Sequence, residues 1–240
     1  MRFACEFSTE DLPLSYRIIF VSMIKDILKK EDKDLYNKLF VYEKKRKNKA
    51  TKNYTFAVLM RKPKISDKRI SFEGNVKWFF SSPDPSIFIN VYNGLRKLNN
   101  FVYRDEKLTL KKIIPLPQKI IGDETVIFKT LSPIHIKDKN GKPVNIESEE
   151  FQKEFSYISN VLLKNYRGYG LRKSLKFEPI KMKKVVVKEI IGGFDKKDYL
   201  YIESWKGIFR LSGAVEDLRD LYELGVGFRR NQGFGMIEVI

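Results

Sequence analysis

Along the chain the period of apolar positions switches between two and about three and a half residues, and each switch marks an element. In the second half, Thr125 to Ile136 is rich in β-branched and aromatic residues and predicts a strand, followed by a turn signal at Asn140-Gly141. From Ser148 the pattern is helical. Phe151, Phe155, Ile158 and Leu162 share one face, and Glu149 and Glu150 occupy the first turn, where the helix dipole favours acids. Leu175 to Ile191 and Tyr199 to Leu211 predict two strands joined through Gly192-Gly193. A second helix turns Ala214, Leu218 and Leu221 inward, Gly225 terminates it, and Phe234 to Ile240 predicts a closing strand. The order is β-α-β-β-α-β, the ferredoxin-like arrangement.

The first half repeats that order. Arg2 to Phe7, Tyr54 to Met60, Val76 to Ser81 and Leu108 to Ile114 predict strands; Tyr16 to Lys30 and Pro85 to Leu98 predict helices, with a further helical turn over Asp34 to Tyr42. The expected fold is α+β: two tandem ferredoxin-like (RRM-like) domains, residues 1–118 and 119–240, joined near Pro115-Leu116-Pro117. Element order alone carries this division, since no residue-level repeat is visible; a single larger mixed sheet is the rival.

Composition narrows the partners. The 240 residues include 47 Lys and Arg against 30 Asp and Glu, a net charge of +17 that repels itself unless a polyanion neutralises it. Nucleic acid is therefore the expected partner, with a lysine-rich proteome as the bland explanation. No basic amphipathic helix points to a membrane, no apolar run is long enough to span one, and Arg2, Glu6, Glu10 and Asp11 interrupt any cleavable leader. A lone Cys5 excludes an internal disulfide and suits a cytoplasmic setting. No cofactor is expected. One histidine, His135, and no cysteine pair give no basis for a transition-metal site, and Asp32, Asp34, Asp217 and Asp220 lack the spacing of a two-metal centre.

The segment richest in chemistry is Gly225-Val226-Gly227-Phe228-Arg229-Arg230-Asn231-Gln232-Gly233-Phe234-Gly235. A dinucleotide-binding turn would need a preceding strand, a following helix and an acidic residue about twenty positions on, and the sequence offers none of these here. Gly225, Gly227, Gly233 and Gly235 would let backbone approach a ligand, Arg229 and Arg230 offer forked donors for phosphate, and Asn231 adds a polar contact. Tight turns alone are the plainer use of such glycines.

This glycine pattern before a final strand resembles the signature of the CRISPR repeat-processing endoribonucleases of the repeat-associated mysterious protein superfamily. Thr130-Leu131-Ser132-Pro133-Ile134 is similar to the stretch opening that family's second domain, and the Met1-Arg2-Phe3 strand and Tyr54 to Met60 also fit, so the likeness spans essentially the whole chain. The resemblance implies binding of CRISPR repeat RNA and one metal-independent cut per repeat. In that reaction a 2′-hydroxyl attacks the adjacent phosphate, leaving a 2′,3′-cyclic phosphate and a free 5′-hydroxyl. It also implies work as a monomer or homodimer, alone or with a CRISPR effector complex. Two alternatives stay open: a non-catalytic member that holds repeat RNA, and a structural subunit that coats guide RNA.

The sequence departs from the family at the general base. Members commonly carry a catalytic histidine where this chain has Phe40, and His135 lies instead in the second domain's opening strand, where a structural role is the simpler reading. Members without that histidine use lysine and arginine, and the motif match places Lys25, Lys52 and Arg229 as catalytic candidates. A lysine is a weak base at its ordinary pKa near 10.4, and neighbouring cations push it down. Lys44, Lys45, Arg46, Lys47 and Lys49 supply such neighbours and are expected phosphate contacts, with a solvated loop as the plainer reading. Lys25 can equally be an exposed residue beside the apolar stripe Ile19, Met23, Ile24 and Ile27. Tyr36 and Tyr42 can position a proton or simply pack.

Two further surfaces carry weaker expectations. Lys181, Lys183, Lys184 and Lys188 form a possible phosphate-tracking stripe, with Lys183 the leading contact. Tyr199, Tyr201 and Trp205 alternate on one side of a strand, as base-stacking platforms do, although burial under a helix is the expected outcome.

Overall fold

The computed structural model describes residues 1–41, 52–191 and 198–240. The first half forms β1 (Arg2–Ser8), β2 (Asp11–Pro13), α1 (Arg17–Glu31), α2 (Lys33–Phe40), β3 (Thr55–Ser66), β4 (Arg69–Ser81), α3 (Pro85–Arg96), β5 (Asn100–Tyr103) and β6 (Glu106–Pro115). The second half forms β7 (Thr125–Thr130), α4 (Glu149–Arg167), β8 (Lys176–Ile191), β9 (Asp198–Ser212), α5 (Val215–Leu224) and β10 (Ile237–Val239), with one 3-10 turn at Arg230–Gln232.

Period-two burial places β1 in the middle of the first sheet. Phe3, Cys5 and Phe7 are fully buried, and the strand pairs antiparallel with both β4 and β6. Burial pushes the Cys5 thiol up to about 12, so it is packed as a small apolar group. With β3 on the other side of β4, the four strands of the repeat lie in the order β3-β4-β1-β6; the second sheet runs β8-β9-β7-β10, the same order again. Two separate ferredoxin-like sheets thus replace the rival single sheet.

Each sheet is covered by helices whose apolar stripes match the sheet's buried face. Ile19, Phe20, Met23, Ile24, Ile27 and Leu28 of α1 pack with Ile87, Val91 and Leu95 of α3 over Phe56, Trp78 and Phe80. Phe151, Phe155 and Leu162 of α4 and Leu218 and Leu221 of α5 pack over Phe128, Phe177 and Phe209. Burial of each such side chain contributes about 1.5–3 kcal/mol. Side-chain caps start three helices: Asp32 accepts from Leu35 N, Asp84 from Ser86 N and Ile87 N, and Ser148 from Phe151 N. No helix among the described residues is long and apolar enough to cross a membrane.

Several sequence expectations need correction. Strands β2 and β5 are too short to show a period, and β3 and β4 extend well beyond their predicted ends as a two-stranded ribbon. Strand β7 stops at Thr130 because the chain bends through Ser132-Pro133; only single bridges, Ile134 to Trp205 and His135 to Phe228, continue beyond it. Strand β10 starts at Ile237 because Phe234, Gly235 and Met236 give their polar groups to loop closure instead. The Gly192-Gly193 turn lies outside the described residues.

One buried cation ties the two halves together. Arg2 of β1 is 4% exposed; its Nε donates to Ser81 Oγ at 3.2 Å, and Nη1 pairs with Glu238 Oε2 at 3.0 Å. Nη2 donates to Ile237 O at 2.8 Å and also to Tyr222 O, while the guanidinium lies 3.5 Å from the Tyr222 ring centroid. Tyr222 OH donates to the other Glu238 oxygen at 3.0 Å, and Ser81 Oγ donates to Glu223 O at 2.7 Å. Burial lowers the Arg2 pKa and the surrounding acids and phenol oppose it. Arg2→Ala should therefore cost about 3–5 kcal/mol in denaturant unfolding, because it strands Glu238 and two carbonyls. Glu238→Gln, which keeps an acceptor, should cost less than half as much.

Candidate nucleic-acid interface

The glycine loop begins where α5 ends. Gly225 N donates to Leu221 O at 2.9 Å, and the chain then doubles back: Val226 N donates to Gly235 O at 2.8 Å, Phe228 N to His135 O at 2.9 Å and Gly235 N to Pro133 O at 2.8 Å. A Cβ on Gly235, where φ is +66°, would stand 1.8 Å from Val226 O; one on Gly233 would stand 2.8 Å from the Phe56 ring. Gly225 and Gly227 are also hemmed in by protein, at 2.9 and 2.8 Å. These glycines admit the loop's own strands and the first sheet, so close packing within the protein is one use the structure gives them. The loop is pinned across the two halves by Thr55 Oγ1 donating to Phe234 O at 3.0 Å and Arg17 Nε donating to Gly233 O at 3.3 Å.

The two loop arginines face different ways. Arg229 is half-buried in a left-handed conformation (φ +58°), with Nη1 donating to Gln232 Oε1 at 2.7 Å. Burial lowers its pKa and Glu189 opposes this. Arg230 is 7% exposed and turned inward, donating from Nη1 to Leu224 O at 2.7 Å; burial pushes its guanidinium down to about 10. It is a strut of the loop in this conformation, which corrects its reading as an open fork. Asn231 is half-buried beside it.

The first-half candidates meet at one aromatic ring. Lys25 Nζ, exposed on α1, lies 5.4 Å from the Phe40 ring centroid, and Lys52 Nζ, ahead of β3, lies 4.9 Å from it. Phe40 closes α2 and packs on Tyr36 at 5.5 Å between centroids. Lys25 stands eight residues beyond Arg17, about 12 Å along the helix. The lysine cluster and the glycine loop therefore share the α1 flank of the first sheet. Lys44, Lys45, Arg46, Lys47, Lys49 and Tyr42 lie outside the described residues.

On the second sheet, Lys183 is exposed and registers against Lys206, whose ammonium is pushed down by burial and by the charges of Lys183 and Arg17. Lys184 pairs with Glu203 at 2.7 Å. Tyr201 is 59% exposed and Tyr199 39%, with Lys188 Nζ 3.8 Å from the Tyr199 ring centroid, so the expected burial of these tyrosines is overturned. Trp205 parts from them. At that point β9 meets Ile134, and the indole packs beneath Val144, donating from Nε1 to its carbonyl at 3.3 Å.

His135 is 5% exposed and donates from Nδ1 to Glu203 O at 2.8 Å. Burial lowers its pKa, the Glu203 bond opposes this, and the Arg229 and Lys137 charges add to the lowering. Among the described residues no group of three or more His, Cys, Asp or Glu side chains gathers as metal ligands do. Sequence reasoning passed over Arg17 and Glu189, which pair across the halves at 3.6 Å. A buried cation in the first turn of α1, where the dipole opposes it, was the available signal for Arg17.

The model of the family described as CRISPR associated protein Cas6, C-terminal, matches residues 116–239. A curated CRISPR-associated endoribonuclease Cas6 of Pyrococcus furiosus is 27% identical, covering all of this chain and 90% of its own. Another, Cas6 1 of Methanocaldococcus jannaschii, is 23% identical, covering 99% and 92%. Among solved structures, the product of a Cas6-related gene from Pyrococcus furiosus has a TM-score of 0.83 at 23% identity, covering 100% and 98% of the two chains. A protein described as a RAMP protein binding different RNA substrates has a TM-score of 0.81 at 23% identity, covering 100% and 99%. The structural likenesses establish the double ferredoxin-like fold.

Gly235→Ala should lower stability by more than about 3 kcal/mol in thermal or denaturant unfolding. Gly141→Ala, at φ +85° with open space around it, should cost about 1 kcal/mol. Because burial lowers the His135 pKa, an unfolded chain takes up a proton near its ordinary pKa of about 6.5 that the folded chain takes up only at lower pH. Stability should thus fall between pH 7 and 5.5 by more in the wild type than in His135→Gln, measured by urea midpoints at both pH values.

Proposed function

The chain belongs to the CRISPR-associated protein Cas6 family, whose curated relatives above are named endoribonucleases, and from that premise we propose that it cuts CRISPR repeat RNA. Residues 1–118 and 119–240 act as its two lobes. The cut needs no metal: the ribose 2′-hydroxyl upstream attacks the adjacent phosphorus, the bond to the 5′-oxygen breaks, and a 2′,3′-cyclic phosphate and a 5′-hydroxyl result.

The observation that carries this reading is the meeting of Lys25 and Lys52, from separate elements, on the ring of Phe40. Two ammonium groups beside one aromatic ring can bind the non-bridging oxygens as charge builds on phosphorus, a form of electrostatic stabilisation. One of them can deliver a proton to the departing 5′-oxygen, and solvent can take the proton of the 2′-hydroxyl. Arg229 and Lys183 hold flanking phosphates, and the cations between Lys44 and Lys49 add to binding. Net charge of +17 supports a polyanionic substrate.

Phe40 favours a second reading. It carries no titratable group where the general base of related enzymes would stand, which suits a member that holds repeat RNA without cutting it. A labelled repeat transcript incubated in chelator separates the two. The cleaving enzyme yields cyclic-phosphate ends, and replacing the scissile 2′-hydroxyl by hydrogen abolishes them; tight binding with intact RNA establishes the second reading. In the first case Lys52→Ala should slow single-turnover cleavage about 10²–10³-fold while changing the dissociation constant less than about threefold. Equal losses in both constants reduce Lys52 to a phosphate contact.

A further inference from the structure

Arg17 sits in the first turn of α1, buried, where the helix dipole repels a cation. Its Nε is spent on Gly233 O, and its guanidinium lies between the Tyr16 and Phe234 rings, 4.7 and 5.1 Å from their centroids. Nη1 points across the junction to Glu189 Oε1 at 3.6 Å, an ion-pair distance too long for a hydrogen bond. That oxygen is buried and accepts no hydrogen bond. Burial raises the Glu189 pKa, and the two charges that oppose it belong to Arg17 and Arg229. Glu189 in turn is what opposes the lowering at Arg229. One loosely held carboxylate therefore faces the Arg17 guanidinium of α1 and feels the charge of Arg229 from the glycine loop. Lys206, which feels the charges of both Arg17 and Lys183, extends the same cationic field along β9.

We propose that Arg17 and Arg229 form a binding site for one RNA phosphate at the junction of α1, the glycine loop and the β8–β9 ribbon, and that the Glu189 carboxylate occupies it in the free protein. A phosphodiester carries the same single charge and two accepting oxygens as a carboxylate. It sets them on a tetrahedral centre that two guanidinium groups can grip together. Binding RNA at this point exchanges an internal anion for an external one. Glu189 thus holds the arginines in place before RNA arrives, and a phosphate that takes the site must first displace it. The proposal rests on the RNA-binding reading above.

The test is equilibrium binding of a fluorescein-labelled oligouridylate and of a repeat transcript to the wild type, Glu189→Gln, Arg17→Gln and the double variant, with melting temperatures alongside. Glu189→Gln should tighten binding of the oligouridylate about fivefold, the scale of one partly exposed ion pair released. In the Arg17→Gln background the same change should give no gain. Glu189→Ser is carried as a second variant in case the glutamine side chain folds poorly. Weaker or unchanged binding in both Glu189 variants overturns the proposal, as does a gain that persists without Arg17, which would be a general charge effect. Wild-type protein that binds neither RNA overturns this proposal and the proposed function together; RNA binding with no gain at Glu189 overturns this one alone.

Discussion

A guanidinium can be buried only where oxygens converge on its donors from several directions, and the oxygens around Arg2 come from both halves of the chain. Ser81 belongs to the first sheet; Tyr222 belongs to α5, and Ile237 and Glu238 to β10. The geometry that satisfies this one side chain fixes how the two sheets sit against each other. Buried ion pairs add little net stability, since desolvation offsets most of the attraction, but their directionality is strict. At that setting the glycine loop reaches the start of β3 and the first turn of α1, so that Phe234 O meets Thr55 and Gly233 O meets Arg17.

The glycine loop follows from the same constraint. Its residues cross between Pro133, His135 and the first sheet with backbone atoms nearly touching, and side chains at Gly227, Gly233 or Gly235 would hold those surfaces apart. The loop's glycines are therefore spent on packing within the protein, and its partly exposed cation is Arg229.

Long amphipathic elements were legible in the sequence because their period is dictated by burial: α1, β8 and β9 fall within a residue or two of their predicted spans, and α4 begins within a residue of Ser148. The helices expected from Ser148 and from Pro85 begin in the structure at side-chain caps, Ser148 and Asp84. Elements decided by tertiary bonds were not legible. The shortening of β7 and β10 depends on where Pro133 and Gly235 find partners, and β2 and β5 are too short to carry a pattern. The direction of a long side chain is equally hidden. Arg229 and Arg230 are adjacent and alike in sequence, yet one bonds the side chain of Gln232 and the other the carbonyl of Leu224. Glu189 and Arg17 could not be paired at all, since their meeting depends on the docking of the two halves. The placing of Lys25 and Lys52 at one site came from the family resemblance and not from periodicity.

Strand β8 ends the second sheet, sixteen residues long with no strand among the described residues paired beyond it in the sheet order. An edge of that length is a template on which another chain can grow. Here it is interrupted by Pro179, which lacks an amide hydrogen, and studded with exposed Lys181, Lys183 and Lys184. Any copy attempting to add itself edge to edge meets a missing donor and a row of like charges. The same lysines that suit an anionic ligand also discourage fibrous self-association, so neutralising them to weaken ligand binding carries a cost in colloidal behaviour.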